Sequence, residues 1–335
     1  METVRTGTEW FAVDDASAVG AARRPAVRLA ERLGFNDTRT GDVGIVVSEI
    51  AANLWKHAVG AALGIQVALR DGVPGVRVIA SDSGPGIVDL DVSALDGHST
   101  TGTLGVGLGA VNRLSSTVDV STVPGRGTVL VADIWPDEAE PTSRLDVAGV
   151  TRPIAGESMC GDAVAARTLG TTHLLMLSDG LGHGPMAADA SLEAVSAFHA
   201  ATTPDAHRVL EQIQAELMGT RGAAVAVAAI DEAYRTMQFA GIGNVSAFVV
   251  DERRSAALSQ PGIVGHQRPR IRPFTLSLSD SAVVVFHSDG VRETWDLGRT
   301  PGLQRRSAAV IAATVLRDCG NRPDDASVLV ARRPQ

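Results

Sequence analysis

Apolar side chains recur every three or four positions in two stretches near the start of the chain. Val19, Ala22, Ala26, Leu29, Ala30 and Leu33 mark residues 18–33, and Val43, Val46, Val47, Ile50, Ala51 and Leu54 mark residues 42–58. That spacing puts one apolar stripe on each of two helices, and Gly34 supplies a stop after the first. The pattern then shortens to β-type runs at 65–70 and 76–81, joined by the turn signal DGVPG. Residues 106–114 read as a third helix, and 118–122 with 128–134 as a hairpin around PGRG. This part of the chain is predicted to be mixed α/β.

Residues 136–146 interrupt the pattern. Their sequence, PDEAEPTSRLD, is polar and acidic, carries two prolines and offers nothing periodic to bury. We assign residues 1–136 to one domain, 137–146 to a linker and 147–335 to a second domain. In the second domain, strand-like runs at 173–178, 223–230, 236–240, 246–251, 282–287 and 327–331 surround helical stretches at 185–200, 206–218 and 305–317. Strands gathered around a few long helices predict a layered α+β sandwich rather than strict βαβ alternation.

Composition narrows the function classes. With 44% hydrophobic and 20% charged residues the chain is of the folded type. A net charge of −8 leaves no basic footprint for nucleic acid or an anionic membrane. No apolar run is long enough to span a bilayer, and the first residues lack the basic-then-apolar order of a signal peptide. Cys160 and Cys319 are the two cysteines, which excludes a disulfide framework and fits a reducing, cytoplasmic compartment.

Three polar elements of the first domain can do ordered chemistry. Glu49 and Asn53 share one face of the second helix, with Lys56 three residues on. The carboxylate can take a proton, the amide oxygen can hold Mg²⁺ and the lysine can meet phosphate oxygens. Asp82, Gly84 and Gly86 form D-x-G-x-G after a strand, and Gly102, Gly105, Gly107 and Gly109 lie in a glycine-rich turn that leads into a helix. Backbone N–H groups there can cradle phosphates. The order of these elements resembles the GHKL ATPases, and SEIAANLWKHA, DSGPGI, GHSTTGTLGVGLGAVNRLSS and PGRGTVLVADIW look most like the RsbT-type serine kinases of bacterial partner switching. The resemblance covers residues 10–135 and implies a Bergerat (GHKL) α/β sandwich that binds ATP and Mg²⁺. It further implies that Asn53 holds the ion, Asp82 reads the adenine amine, Glu49 is the catalytic base and the glycines shape the pocket and its lid.

The second domain places aspartates at strand edges: Asp162 after Gly161, Asp179 before Gly180, Asp289 before Gly290, and the pair Asp324 and Asp325. Each alone is an ordinary turn. Together they form an oxygen-only set suited to Mg²⁺ or Mn²⁺. The segments GESMCGDAVAAR, LLMLSDGLGHGPMAADAS, GIGNV, VVVFHSDGVRETW and RPDDASVLVAR resemble the SpoIIE/RsbX branch of the protein phosphatase 2C family over residues 147–332. The resemblance implies a four-layer α-β-β-α sandwich with two Mn²⁺ or Mg²⁺ ions. Asp162, Asp179, Asp289 and Asp324 would be ligands, with the Gly180 carbonyl. Which of Asp324 and Asp325 ligates stays open. His183 either touches phosphate or shapes its turn, and Cys160 reads as a packing residue.

The two resemblances together imply a partner-switching regulator carrying a serine/threonine kinase and a metal-dependent phosphatase. Its substrates would be STAS-domain anti-sigma-factor antagonists or stressosome proteins, with a sigma factor and a second copy of the chain as further candidate partners. In the alternative reading, the first domain binds ATP and a partner without turning over.

Overall fold

The computed structural model describes residues 7–70, 72–87, 107–136, 145–231, 233, 235–266 and 271–334. Two compact units divide the chain: Met1–Ser143 with Asp296–Arg317, and Arg144–Trp295 with Asp318–Gln335. Residues 137–144, most of the expected linker, lie outside the described residues.

In the first unit, β1 (Glu9–Ala12) leads into α1 (Ser17–Arg32) and α2 (Asp37–His57). Helix α2 starts five residues before the predicted stretch 42–58. Asn36 accepts from the Arg39 amide at 2.9 Å, a side-chain cap that apolar periodicity does not register. Then follow β2 (Ala62–Arg70), β3 (Val73–Ser81), α3 (Gly107–Leu114), β4 (Thr117–Val123) and β5 (Gly127–Ile134). The strands form one antiparallel sheet in the order β1-β2-β3-β5-β4. Ala22, Val43, Val46, Val47 and Ile50 from the helices meet Ile65, Val76, Val78, Ala132 and Ile134 from the sheet in one apolar core. Between β3 and β5, Arg77 faces Asp133 in register and forms a buried two-pronged ion pair, Nε–Oδ1 and Nη2–Oδ2 both at 2.7 Å.

The second unit contains β6 (Asp146–Arg152), β7 (Asp162–Leu169), β8 (Thr172–Gly180), α4 (Pro185–Ala200), α5 (Ala206–Glu216), β9 (Ala223–Asp231), β10 (Thr236–Ile242), β11 (Ser246–Val250), β12 (Arg254–Ala257), β13 (Phe274–Ser277), β14 (Val283–His287) and β15 (Ala326–Arg332). Helix α6 (Ala308–Cys319) precedes β15 in sequence, and its residues up to Arg317 group with the first unit. Two five-stranded sheets result, β13-β10-β9-β8-β7 and β12-β11-β14-β15-β6. Their facing sides interlock Leu175, Leu177 and Phe239 with Val249, Val284, Phe286 and Leu329. The outer side of the first sheet carries Leu174, Met176, Val225 and Val227 under Phe198, Val209, Leu210 and Ile213 of α4 and α5. Strands β1, β6, β7, β12 and β13 go beyond the sequence reading. Strand β7, DAVAARTL, is rich in alanine and weak in β-branched residues, so pairing with β8 holds it rather than propensity. No helix among the described residues is long and apolar enough to cross a membrane.

Candidate active sites

The first site forms where α2, α3 and the ends of β3 and β5 meet. Glu49 and Asn53 are half-buried one turn apart on α2. Gly107, the first residue of α3, lies against both. A Cβ there would sit 2.9 Å from Glu49 Oε2 and 3.5 Å from Asn53 Oδ1 and Nδ2. The absent side chain thus lets the helix start abut the carboxylate and the carboxamide.

Asp82 is buried just past β3. Its Oδ1 accepts from the Gly84 amide at 2.7 Å and its Oδ2 from the Thr128 amide at 3.2 Å, while its own amide donates to the Thr128 carbonyl at 3.0 Å. The carboxylate is therefore fixed by the sheet. Gly127, with φ +84°, brings β5 so close that a Cβ would lie 2.0 Å from the Asp82 carbonyl oxygen. That conformation and that space belong to glycine. Gly86 also has positive φ, +72°, and a Cβ there would meet the Val123 carbonyl oxygen at 2.6 Å. Gly109 is buried within α3. Lys56 is exposed in the last turn of α2, and no hydrogen bond or ion pair among the described residues draws it toward Glu49. Gly102 and Gly105 lie outside the described residues.

Thr128 and Thr122 are missing from the sequence reading. Their hydroxyls lie 3.0 Å apart, and Thr122 Oγ1 accepts from the Ile87 amide at 2.8 Å. The GRGT turn was the available signal for Thr128.

The second site gathers the ends of both sheets of its unit. Asp162 opens β7 opposite Asp179 on β8 in register. Both Asp162 carboxylate oxygens are buried without a hydrogen-bond partner. The Gly180 amide donates to the Gly161 carbonyl at 3.1 Å, and a Cβ on Gly180 would overlap the Ala187 carbonyl oxygen at 2.1 Å. Asp289 follows β14, where its Oδ2 accepts from Asn244 Nδ2 at 2.5 Å and its carbonyl from Arg322 Nη1 at 2.9 Å. Asn244, in GIGNV, is a third residue missing from the sequence reading.

Asp325 has both oxygens engaged. Oδ1 accepts from the Ile154 amide at 2.7 Å and Oδ2 from the Gly161 amide at 2.8 Å, which pins the segment before β7. Asp324 is more exposed, and its Oδ1 accepts from the Asp325 amide at 2.9 Å. His183 Nδ1 lies 3.2 Å from Glu157 Oε1 at the exposed rim. Burial pushes the Cys160 thiol well up, so it stays protonated and unreactive.

The carboxylates disfavour one another's charge. Burial first, and then Asp162, Asp289, Asp324 and Asp325, raise Asp179 to about 9. Burial also raises Asp162 to about 7, with Asp325 and Asp289 adding to the rise. The nearby Ser288 and Ser327 hydroxyls temper it without completing a hydrogen bond. Asp289 and Asp325 are shifted upward too, burial again leading. Among the described residues, no three His, Cys, Asp or Glu side chains are drawn close enough to enclose an ion as they stand. The donors nevertheless fit a hard divalent cation, which would give the orphaned Asp162 oxygens a partner and neutralise the mutual repulsion.

Comparison with known proteins follows this division. Residues 12–133 match the histidine kinase-like ATPase domain family, and residues 170–334 match stage II sporulation protein E (SpoIIE). Serine/threonine-protein kinase RsbT of Bacillus subtilis (strain 168) is 36% identical over 132 residues, which cover 39% of this chain and 94% of RsbT. The chain belongs to the RsbT-like ATPases, fused to a SpoIIE-type phosphatase domain. A solved chain from work on the bacterial stressosome, described as a modular system adapted to control secondary messenger signaling, superposes with a TM-score of 0.52. It is 29% identical and covers 57% of this chain and 100% of its own length. RsbX in complex with magnesium superposes with a TM-score of 0.51 at 18% identity, covering 58% of this chain and 98% of RsbX, a likeness of fold. The RsbT-like unit implies use of a nucleotide, and the SpoIIE-type unit implies use of divalent metal. The expected phosphatase class is borne out by the family match.

Proposed function

We propose that the RsbT-like unit, residues 1–136, transfers phosphate from Mg·ATP to a serine or threonine of a STAS-domain protein. The SpoIIE-type unit, residues 147–335, then removes phosphate from such a residue, with 137–146 as linker. The observation that carries the kinase half is the juxtaposition of Glu49 and Asn53 with Gly107, beside an Asp82 whose carboxylate is held by two backbone amides. Asp82 would accept from the adenine amine, Asn53 would hold Mg²⁺ through its amide oxygen and Lys56 would meet phosphate oxygens. Gly84, Gly86, Gly102, Gly105, Gly107 and Gly109 would shape the pocket. Glu49 takes the proton of the incoming hydroxyl as its oxygen bonds to the γ-phosphorus and ADP leaves.

In the phosphatase half, Asp162, Asp179, Asp289 and Asp324, with the Gly180 carbonyl, would hold two Mn²⁺ or Mg²⁺ ions. Such ions supply positive charge to a phosphate ester and acidify water. Asp325 serves better as the clamp on Ile154 and Gly161, because both its oxygens already accept amides; this favours Asp324 as the ligand of the pair. Likeness to RsbT supports a STAS-domain or stressosome partner in the cytoplasm, with a sigma factor or a second copy of the chain as further candidates.

The test uses the full chain carrying Asp179→Asn, so that hydrolysis does not erase the product. Labelled ATP should phosphorylate a STAS protein, and adding Glu49→Gln should cut transfer by at least about 10²-fold with ATP binding kept. ATP binding without any transfer, before Glu49 is changed, would instead make the first unit a nucleotide-dependent binding module.

A further inference from the structure

Beside the carboxylate site, β6 and the segment before β15 enclose a groove of about 440 Å³. Arg152, Pro153 and Ile154 form one wall, and Arg322, Pro323 and Asp324 the other. Both walls are fixed. Arg152 pairs with Ala326 in the β6–β15 ladder, the Ile154 amide is held by Asp325, and Arg322 is held by the Asp289 carbonyl. The volume lies in the range of sites that take a short peptide segment or a small ligand.

Arg152 is the odd residue of this groove. It is half-buried, and burial disfavours its charge. No carboxylate or hydrogen-bond acceptor meets its guanidinium among the described residues. Among the described residues the Cys160 thiol bears on its charge, and burial keeps that thiol neutral. A desolvated cation without a counter-ion costs free energy unless an anion arrives. Arg322, on the opposite wall, spends one Nη on Asp289 and is otherwise exposed, so two arginines against the single carboxylate of Asp324 bias the groove toward negative charge. Asp324, one of the aspartates proposed to hold metal, lines the groove.

We propose that this groove docks the stretch of substrate protein flanking the phosphorylated residue, and that Arg152 receives the carboxylate of an acidic side chain there. The inference rests on the phosphatase reading of the second unit and adds a sequence preference to it. The guanidinium matches a carboxylate in fork geometry, which fixes direction as well as charge. Arg152 is then a specificity residue that does not touch the reacting phosphate.

The experiment uses the full chain with Mn²⁺ and three phosphoserine peptides that differ only in an acidic, neutral or lysine-rich flank. Arg152→Met keeps the volume and removes the charge. It should lower kcat/KM for the acidic peptide about tenfold relative to the neutral one, mainly through KM. Arg152→Glu should reverse the order and favour the lysine-rich peptide. The thermal midpoint of Arg152→Met should equal or exceed that of the parent, since no ion pair is lost. An equal fall for all three peptides, or an unchanged order in both variants, overturns the proposal. Binding of the acidic peptide to the chain carrying Asp179→Asn, with and without Arg152→Met, reads docking without turnover. Retained turnover with Asp179→Asn would refute the ligand assignment alone, whereas equal binding with and without Arg152→Met would refute the docking site alone.

Discussion

Single atoms decide both sites. At Gly107 the space a Cβ would take is already claimed by Glu49 Oε2 at 2.9 Å, so Gly107→Ala should push the carboxylate aside while improving local helix propensity. Phosphotransfer to a STAS protein should drop about tenfold from the misplaced base, with the thermal midpoint unchanged or raised. Parent-level transfer would show that the helix start need not abut Glu49. At Asp179 the neighbouring carboxylates and burial oppose the charge. Asp179→Asn should therefore raise the midpoint of the EDTA-treated chain by at least about 2 °C, the size expected of ~1 kcal/mol in a unit this large, and lower the further rise brought by Mn²⁺. A lower midpoint in EDTA would contradict the repulsion. Glu49, Asn53, Asp82 and the aspartates of the second unit could be named from short motifs and the family resemblance those carry, because their turns and helix faces are local. Thr128, Asn244 and Arg152 could not, because each matters through a partner or a vacancy far along the chain.

Among the elements, the pairing of β3 with β5 positions Asp82 beside Thr128. The Arg77–Asp133 pair crosses that ladder out of water, with both contacts at 2.7 Å. Arg77→Ala should cost about 3–5 kcal/mol, since it leaves Asp133 buried without its counter-charge, measurable as a lower urea midpoint. A loss below ~1 kcal/mol would mean that water reaches the site and screens it. Helix α2 was legible from its apolar stripe, but its first turn depends on the Asn36 cap. Strand β7 was not legible. Its alanines state no preference, and only the ladder with β8 makes it a strand and sets Asp162 opposite Asp179.

For the whole molecule, each unit has its own apolar core and its own candidate ligand. A ligand that binds only the folded state stabilises the structure it touches. Hydrogen exchange should therefore slow in β3, β5 and α2 on adding an ATP analogue, and in β7, β8 and β14 on adding Mn²⁺. Protection by Mn²⁺ in the first unit alone would overturn the assignment of metal to the second. The two patterns of helices and strands and the types of residue at each site follow from the sequence alone, because periodicity and turn chemistry act over a few residues. Only the tertiary structure decided which aspartates face each other, that Asp325 clamps the chain with both oxygens while Asp324 is more exposed, and that Arg152 lines a groove without a counter-ion. Those relations depend on strand register and burial, which bring together residues up to 171 positions apart in the chain.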